Sequence, residues 1–495
     1  MKKSIFLSCM LAASMGAALT SCQNREEFFE DARKANWEKM VSSIDPKQDW
    51  NLAENFTVSV NPDHQTSYSI YVKVDGKYKL AAKYDNVTSA RELSFTAVKG
   101  TEQVLVSAGV NVQLVDVNGA FGTATRSASN WELGEFKCDE SLRKGTDIEG
   151  LDLGYVTTML PENGNNEGKD GLTEDFMFYN GNADGFTIYP VASYTGARLR
   201  LGIYWYDEDG NRVEKEVWRL DDTMKEFDPS INTNIYRVQK AMPNGIHIRT
   251  PKNKAFGFYI DKVSVQYYSQ SSLNNCGQVH SVSFEKDGIT YIGFEDACKT
   301  PLDLNDLVFV VEPDLTPIVE DPVKWTVACE DLGSTCDYDF NDVVFEVEHV
   351  TGQDNVTVTP LAAGGLLGST IYLGDTEVGE IHALLGGQPG QFLNTETFTA
   401  SGTPVVVPGQ SSFSIGTDMG GFRISVENNG NASIITAPVA GDVPQMMIVP
   451  EGWAWPLEHT NIMTAYPSFA DWSKAAAVYN YWAQYCDASK VIKRK

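Results

Sequence analysis

Ser69-Ile70-Tyr71-Val72-Lys73-Val74, running into Asp75-Gly76, sets the class of the fold. The run is short and rich in β-branched and aromatic residues, and Asp-Gly is the chemistry of a two-residue hairpin turn in which both residues need positive φ. The pattern recurs on either side in Phe56-Thr-Val-Ser-Val60, Leu93-Ser-Phe-Thr-Ala-Val98 and Val110-Asn-Val-Gln-Leu-Val-Asp-Val117, the last followed by Asn118-Gly119. Farther along, Phe186-Thr-Ile-Tyr189, Arg198-Leu-Arg-Leu-Gly-Ile-Tyr-Trp-Tyr206, Val213 to Trp218, Ala255-Phe-Gly-Phe-Tyr-Ile260, Val356-Thr-Val-Thr359 and Ser369-Thr-Ile-Tyr-Leu373 continue it. The expected fold is mainly β, with tandem β-sandwich-like domains, a short N-terminal helical tether and a C-terminal helical segment over Ser468 to Cys486.

The chain opens with Lys2 and Lys3, an apolar run from Ile5 to Leu19, and Leu19-Thr20-Ser21-Cys22. The run is too short to span a membrane and reads as an export signal. Losing two of 39 basic residues with that signal leaves 37 against 66 acidic ones, a formal charge of −29. Such a balance opposes nucleic acid and anionic membrane surfaces and favours cations. Six cysteines remain after Cys9 and Cys22, namely Cys138, Cys276, Cys298, Cys329, Cys336 and Cys486, and export permits disulfides among them. Cys329 and Cys336 would bracket an acidic pair, and the absence of Cys-x-x-Cys argues against a zinc or redox centre.

Composition shifts divide the chain into a signal at 1–21, a tether at 22–55, an N-terminal β domain at 56–140 and a second β domain at 141–312. A proline-rich acidic connector at 313–324 leads to a third β region at 325–486 and a tail at 487–495. The tether includes Gln23 to Lys39, whose Phe28, Phe29, Trp37 and Met40 have helix-like spacing, and Pro161 to Gly171 reads as an exposed loop.

The chemistry lies in two near-copies of one motif. Glu295 and Asp296 precede Asp303-Leu304-Asn305-Asp306, and Glu330 and Asp331 precede Asp339-Phe340-Asn341-Asp342; each copy then runs into a β-branched strand. Calcium takes six to eight oxygen ligands, so a turn dense in Asp and Asn suits it. Asp337, Asp339 and Asn341 alternate like the first ligands of an EF-hand loop, with Glu348 at its twelfth position, but Asp342 stands where that loop needs glycine and a strand follows instead of a helix. The expectation is a pair of Ca2+ sites on β loops, the first poorer because Pro301 replaces Asp337. The competing reading is that these residues cap turns through their own backbone.

Asp337-Tyr338-Asp339-Phe340-Asn341-Asp342-Val343-Val344 after Glu330-Asp331 resembles the opening signature of the LruC-type domain of bacterial surface lipoproteins. Val449-Pro450-Glu451-Gly452-Trp453-Ala454-Trp455-Pro456, with Glu458, Ile462, Ala465-Tyr466-Pro467, Phe469 and Trp472, resembles its closing signature. The region from about Leu151 to Val311 looks like a β-rich domain of unknown function that precedes it, and Ile44-Asp45-Pro46-Lys47-Gln48-Asp49-Trp50 is similar to a phrase near the N-termini of such lipoproteins of the Bacteroidetes. Leu19-Thr20-Ser21-Cys22 resembles a lipobox, which implies lipidation at Cys22, and Glu26-Glu27 resembles a surface-export tag. The resemblance implies an outer-membrane lipoprotein, displayed at the cell surface or facing the periplasm, of unknown ligand.

Catalytic signatures are lacking. The histidines are scattered, with no His-Glu-x-x-His, Gly-x-Ser-x-Gly or phosphate-loop lysine. The expectation is a binding protein and no enzyme, adhesion- or matrix-related and calcium-stabilised, with a protein or glycan partner. Tyr204, Trp205, Tyr206 and Trp218, or Trp453 and Trp455, would be the sugar-stacking surface of a glycan-binding alternative; a hydrolase using paired carboxylates ranks below it.

Overall fold

The computed structural model describes residues 34–37, 41, 43–122, 151–181, 185–220, 225–230, 232–236, 245–248, 253–299, 301–313, 315–331, 337–428 and 430–494. The export segment, Cys22, Cys138 and Cys336 lie outside them. The strands are β1 (Ala53–Val60), β2 (Thr66–Val74), β3 (Lys77–Val87), β4 (Arg91–Val98), β5 (Gln103–Ala108) and β6 (Asn111–Asp116). Helix α1 (Leu153–Met159) and β7 (Met177–Tyr179) lead to β8 (Phe186–Ala192), β9 (Arg200–Tyr206), β10 (Arg212–Arg219), β11 (Lys225–Asp228), β12 (Thr233–Tyr236) and β13 (Ile246–Ile248). Next come β14 (Ala255–Lys262), β15 (Val265–Tyr268), β16 (Ser281–Lys286), β17 (Ile289–Phe294), β18 (Leu307–Glu312) and β19 (Pro317–Pro322). The last stretch holds β20 (Lys324–Cys329), β21 (Val343–Glu348), β22 (Val356–Ala362), β23 (Gly368–Leu373), β24 (Thr376–Glu380), α2 (Ile381–Leu384), β25 (Val405–Val407), β26 (Phe422–Asn428), β27 (Asn431–Ile435), β28 (Met446–Pro450), α3 (Ile462–Ala465) and α4 (Phe469–Lys474). No helix among the described residues is long and apolar enough to cross a membrane.

Asp75 and Gly76 take φ of 46° and 76°, the geometry the hairpin between β2 and β3 requires, and Asp287-Gly288 repeats it between β16 and β17. All six residues of β17 are buried, which explains why its sequence does not alternate: both faces of the strand are covered.

Two compact units result. The N-terminal unit comprises Phe56–Phe95 and Glu102–Val323, and the C-terminal unit takes the chain up to Asn55, Thr96–Thr101 and Lys324 onward. Within the N-terminal unit a ten-stranded sheet runs β10-β9-β14-β7-β19-β3-β2-β5-β6, with β15 also on β14. The boundary expected near residue 140 would therefore cut through a sheet, because strands from both sides of it hydrogen-bond into one. The expected 313–324 connector is largely β19, whose prolines sit at its two ends and whose Ile318 and Val319 are buried between β3 and β7.

The two units are one β-sandwich built twice. In the N-terminal unit a five-stranded sheet runs β13-β8-β18-β17-β16, and in the C-terminal unit one runs β25-β22-β21-β20-β28, every neighbour antiparallel. The facing sheets match as well, β10-β9-β14-β15 against β24-β23-β26-β27. Register is repeated down to an irregularity: Pro190 opposes Phe309 and Ala192 opposes Val308, as Pro360 opposes Phe345 and Ala362 opposes Val344. Phe309 then meets Phe258 of the facing sheet at 5.0 Å, and Phe345 meets Phe422 at 5.0 Å. The chain order is rotated, since β17–β18 follow β8, β9 and β14 in the first sandwich whereas their counterparts β20–β21 precede β22, β23 and β26 in the second.

The 22–55 segment does not act as a tether where it is described. Trp37 and Trp50 are buried, 5.5 Å apart and edge-on, and Trp50 stacks near Phe469 and meets Trp472 at 5.6 Å. Gln48 donates to the Trp472 carbonyl at 2.8 Å, so the phrase ending in Trp50 is C-terminal core. The expected helix over Ser468 to Cys486 shrinks to α4 and one 3-10 turn at Trp482–Gln484. Ala475 to Ala477 offer little to bury, and the segment is held by Trp472 stacked on Trp482 at 5.2 Å. Asn51 ties the entering chain down, donating to the Ile415 carbonyl at 3.0 Å and accepting from the Ala53 amide at 2.8 Å. Asn51→Ala strands both groups and should cost about 2 kcal/mol; an unchanged urea midpoint would contradict this account.

Candidate cation sites

In the C-terminal unit β20 ends on Cys329, and the next two residues are acidic. The Glu330 carboxylate reaches across the turn, Oε1 accepting from the Tyr338 amide at 3.3 Å and Oε2 from the Phe340 amide at 3.2 Å. Asp342 Oδ2 accepts from the Asp331 amide at 2.6 Å, closing the turn onto the start of β21. Tyr338 and Phe340 take φ of 54° and 53°, a conformation bulky residues rarely adopt and one that gathers at functional sites. Both rings are fully buried, Tyr338 against Trp37 at 5.1 Å and Phe340 near Phe469 at 6.4 Å. Core packing thus sustains the kinked turn that carries Asp339.

A second loop completes the site. Asp339 Oδ2 accepts from the His459 amide at 2.8 Å, and His459 Nδ1 lies 2.6 Å from Asp337 Oδ2. Asn341 Nδ2 donates to the Pro456 carbonyl at 3.2 Å, and the Ile462 amide donates to the Tyr338 carbonyl at 2.9 Å. Asp337, Asp339, Glu458 and His459 each bring one ligand-capable atom within 4.8 Å of the others. Two buried oxygens accept no hydrogen bond among the described residues, Asn341 Oδ1 and Glu458 Oε2. The Glu458 side chain is 10% exposed; the Thr395 hydroxyl lies close enough to ease its charge, yet its own oxygen is unpartnered too. A Cβ at Gly364 would collide with Asn341 Oδ1, so glycine there is what lets the backbone close over it.

Burial, followed by neighbouring carboxylates, pushes Asp339 up to about 8 and holds Glu330 and Asp342 far above the usual carboxylate range. Burial likewise raises Glu458, and the hydrogen bond to Asp337 raises His459. Carboxyl groups are crowded here with little compensating positive charge, so burial and mutual repulsion favour their protonated forms.

The N-terminal unit repeats the construction. The Asp296 amide donates to Asp306 Oδ2 at 2.7 Å, the Leu304 amide to Glu295 Oε2 at 3.5 Å, and Leu304 has φ of 59°. Asn305 Nδ2 donates to the Leu160 carbonyl at 3.2 Å and its Oδ1 is buried without a partner among the described residues. The Asn163 amide donates to Asp303 Oδ2 at 3.0 Å, and the Asn166 amide to the Leu302 carbonyl at 2.9 Å. Leu160-Pro161-Glu162-Asn163 therefore stands to Asp303 as Pro456-Leu457-Glu458-His459 stands to Asp339, and Asn163 and His459 share φ of 57° and 59°. Glu295, Asp303 and Asp306 gather within 4.8 Å, with burial pushing Glu295 up to about 7 and Asp306 up to about 10.

Some expected ligands serve otherwise. Asp296 is taken by Lys262 at 2.7 Å and by the Thr195 hydroxyl, and Glu330 and Asp342 shape the turn through backbone amides. Asp331 packs beside Gly365. Glu458 and His459, which gather with Asp337 and Asp339, were not in the expected ligand set, and the loop at 161–171 that looked merely exposed brings the Asn163 amide to Asp303. Burial takes most of the expected sugar platform out of reach: Tyr204 and Trp455 are fully buried, Trp205 and Trp453 nearly so, and Trp218 packs partly buried on the core, while Tyr206 is half-buried. Cys329 has a free, buried thiol, while Cys276 and Cys298 are joined.

Residues 436–482 match a family described only as a domain of unknown function, DUF4842. The stretch holds β28, Glu458 and His459, so it includes the second loop of the C-terminal site. Among solved structures, the crystal structure of a Bacteroides ovatus protein provisionally designated a lipoprotein aligns over 63% of this chain and 100% of its own, at 14% identity and a TM-score of 0.22. So loose a superposition identifies no element. No curated protein matches the chain.

Proposed function

We propose that this is an exported, lipid-anchored binding protein whose two sandwich units are each braced by a divalent cation, calcium being the natural occupant of an oxygen-rich loop site. The observation that carries the reading is the repetition of one acidic turn on two rotated copies of a fold, each with a buried, unpartnered asparagine oxygen behind it and ligand-capable atoms gathered around the equivalent Asp303 and Asp339. Turn capping alone would satisfy such oxygens instead of leaving them unpaired. Lipidation at Cys22 would anchor the chain to the outer membrane, consistent with its resemblance to LruC-type surface lipoproteins. The strong negative charge fits a protein that meets a protein or glycan partner in adhesion or matrix contacts and not nucleic acid. Its work in this reading is binding without chemical turnover.

Calorimetric titration of the metal-free, unlipidated mature chain tests the pair of sites. Two binding events are expected. Glu458→Gln should weaken the one and Asp303→Asn the other, each about tenfold through loss of a ligand charge. A titration without heat, or one indifferent to both substitutions, would return the acidic turns to a purely structural role.

A further inference from the structure

Cys276, His280 and Cys298 converge beside the N-terminal acidic turn, at a spacing with no Cys-x-x-Cys to announce it. His280 is fully buried and its ring stacks on Tyr267, centroids 4.1 Å apart and planes 22° from parallel. Its Nδ1 lies 3.0 Å from the Glu295 carbonyl oxygen. That oxygen can only accept, so Nδ1 carries the proton and Nε2 presents a lone pair. The lone pair faces sulfur, with Cys276 Sγ at 3.1 Å and Cys298 Sγ at 3.4 Å. In the disulfide neither sulfur has a hydrogen to donate, which leaves a buried imidazole nitrogen facing atoms that cannot bond to it. Both cysteines are exposed, and an exposed disulfide is the kind a small thiol reagent reaches.

We infer that reduction of Cys276–Cys298 creates a thiolate–imidazole site for a zinc-class ion, held by Cys276 Sγ, Cys298 Sγ and His280 Nε2 with water in the fourth position. An external dithiol supplies two electrons and two protons; the S–S bond breaks, both cysteines become thiols, and the dithiol leaves as its own disulfide. Zinc binding then displaces the two thiol protons. The donor set selects a borderline-soft ion over calcium. Bond lengths of about 2.3 Å to sulfur and 2.0–2.1 Å to nitrogen put tetrahedral S and N ligands roughly 3.5 Å apart, close to the separations already present. The Nδ1–H bond to the Glu295 carbonyl supplies the backing that fixes a zinc-bound histidine's tautomer and orientation. The expectation from sequence that no zinc or redox centre exists rested on spacing along the chain, whereas these ligands meet across the start of β16 and the end of β17.

Cobalt reports the site directly. The mature chain, reduced with a phosphine, desalted under inert gas and titrated with Co2+, should develop a thiolate-to-cobalt charge-transfer band that saturates at a single equivalent and is bleached by Zn2+. The oxidised wild type should show none, a comparison that needs no variant and no change of fold. The C276S/C298S double variant keeps the other cysteines and should lose the band, and H280A should weaken cobalt binding at least about tenfold. No band in the reduced wild type, or one that survives in C276S/C298S, overturns the inference. Calcium calorimetry on the same samples reads the acidic sites separately, so the two proposals fail independently.

Discussion

Calcium returned to the chelated protein should raise its melting temperature, and Asp339→Ala should remove the part of that rise due to the C-terminal unit. A ligand that binds only the folded state stabilises it by RT ln(1 + [L]/Kd), about 2.7 kcal/mol at a hundredfold excess over Kd. For a unit of about 200 residues that corresponds to roughly 5–10 °C. Asp339 is 1% exposed and contributes to the gathered set with Asp337, Glu458 and His459. Its removal leaves the backbone bonds made by Glu330 and Asp342 in place but takes the acceptor from the His459 amide, so the metal-free variant should melt somewhat lower than metal-free wild type while the turn itself stays closed. Asp342→Ala goes further and opens the turn, because Asp342 Oδ2 holds the Asp331 amide at 2.6 Å. That variant should melt lower with or without calcium and lose the C-terminal part of the calcium response as well. Differential scanning calorimetry separates these patterns, and a calcium response that survives undiminished in both variants would sink the cation reading at the C-terminal site.

The features a sequence reveals here are those made by neighbours in the chain. Asp75-Gly76 names its own hairpin, and the acidic turns stand out because Glu295 to Asp306 and Glu330 to Asp342 spell the same pattern twice. The other half of each site is distant: His459 lies 120 residues from Asp339, and Asn163 lies 140 from Asp303. The Glu-His-Thr-Asn and Glu-Asn-Gly-Asn phrases at 458–461 and 162–165 are too degenerate to align without the strands that set them opposite the turns. Rotation of strand order hides the duplication for the same reason, since equivalent segments follow one another in different sequence. Trp37 and Trp50 misled in another way. Helix-like spacing around Trp37 and the place of Trp50 before the first strand suggested a tether, and only the aromatic cluster of Phe469, Trp472 and Trp482, far along the chain, shows what they bury against.

Metal-free protein should lose stability as pH rises from about 4 toward 8 and beyond, the reverse of what paired carboxylates give. Glu295 is held at about 7, Asp339 at about 8 and Asp306 at about 10, with Glu330 and Asp342 farther up, all because burial and adjoining carboxylates penalise the charged form. In the unfolded chain these groups titrate near 4. The folded state therefore binds protons more tightly; its advantage is complete below about pH 4 and is lost progressively as pH climbs through the folded values. His459, raised chiefly by its hydrogen bond to Asp337, contributes in the same direction above its unfolded value. Summed over both units the loss is on the order of a few kcal/mol. Calcium competes with those protons for the same oxygens, so its stabilisation should be small at pH 5 and large at pH 8, cancelling most of the decline. Urea midpoints at the two pH values, each with chelator and with calcium, decide the matter. A calcium shift of equal size at pH 5 and pH 8, or a chelated protein that grows more stable on the alkaline side, would mean that the buried carboxylates do not face an ion-binding position and that the duplicated turns serve only to bend the chain.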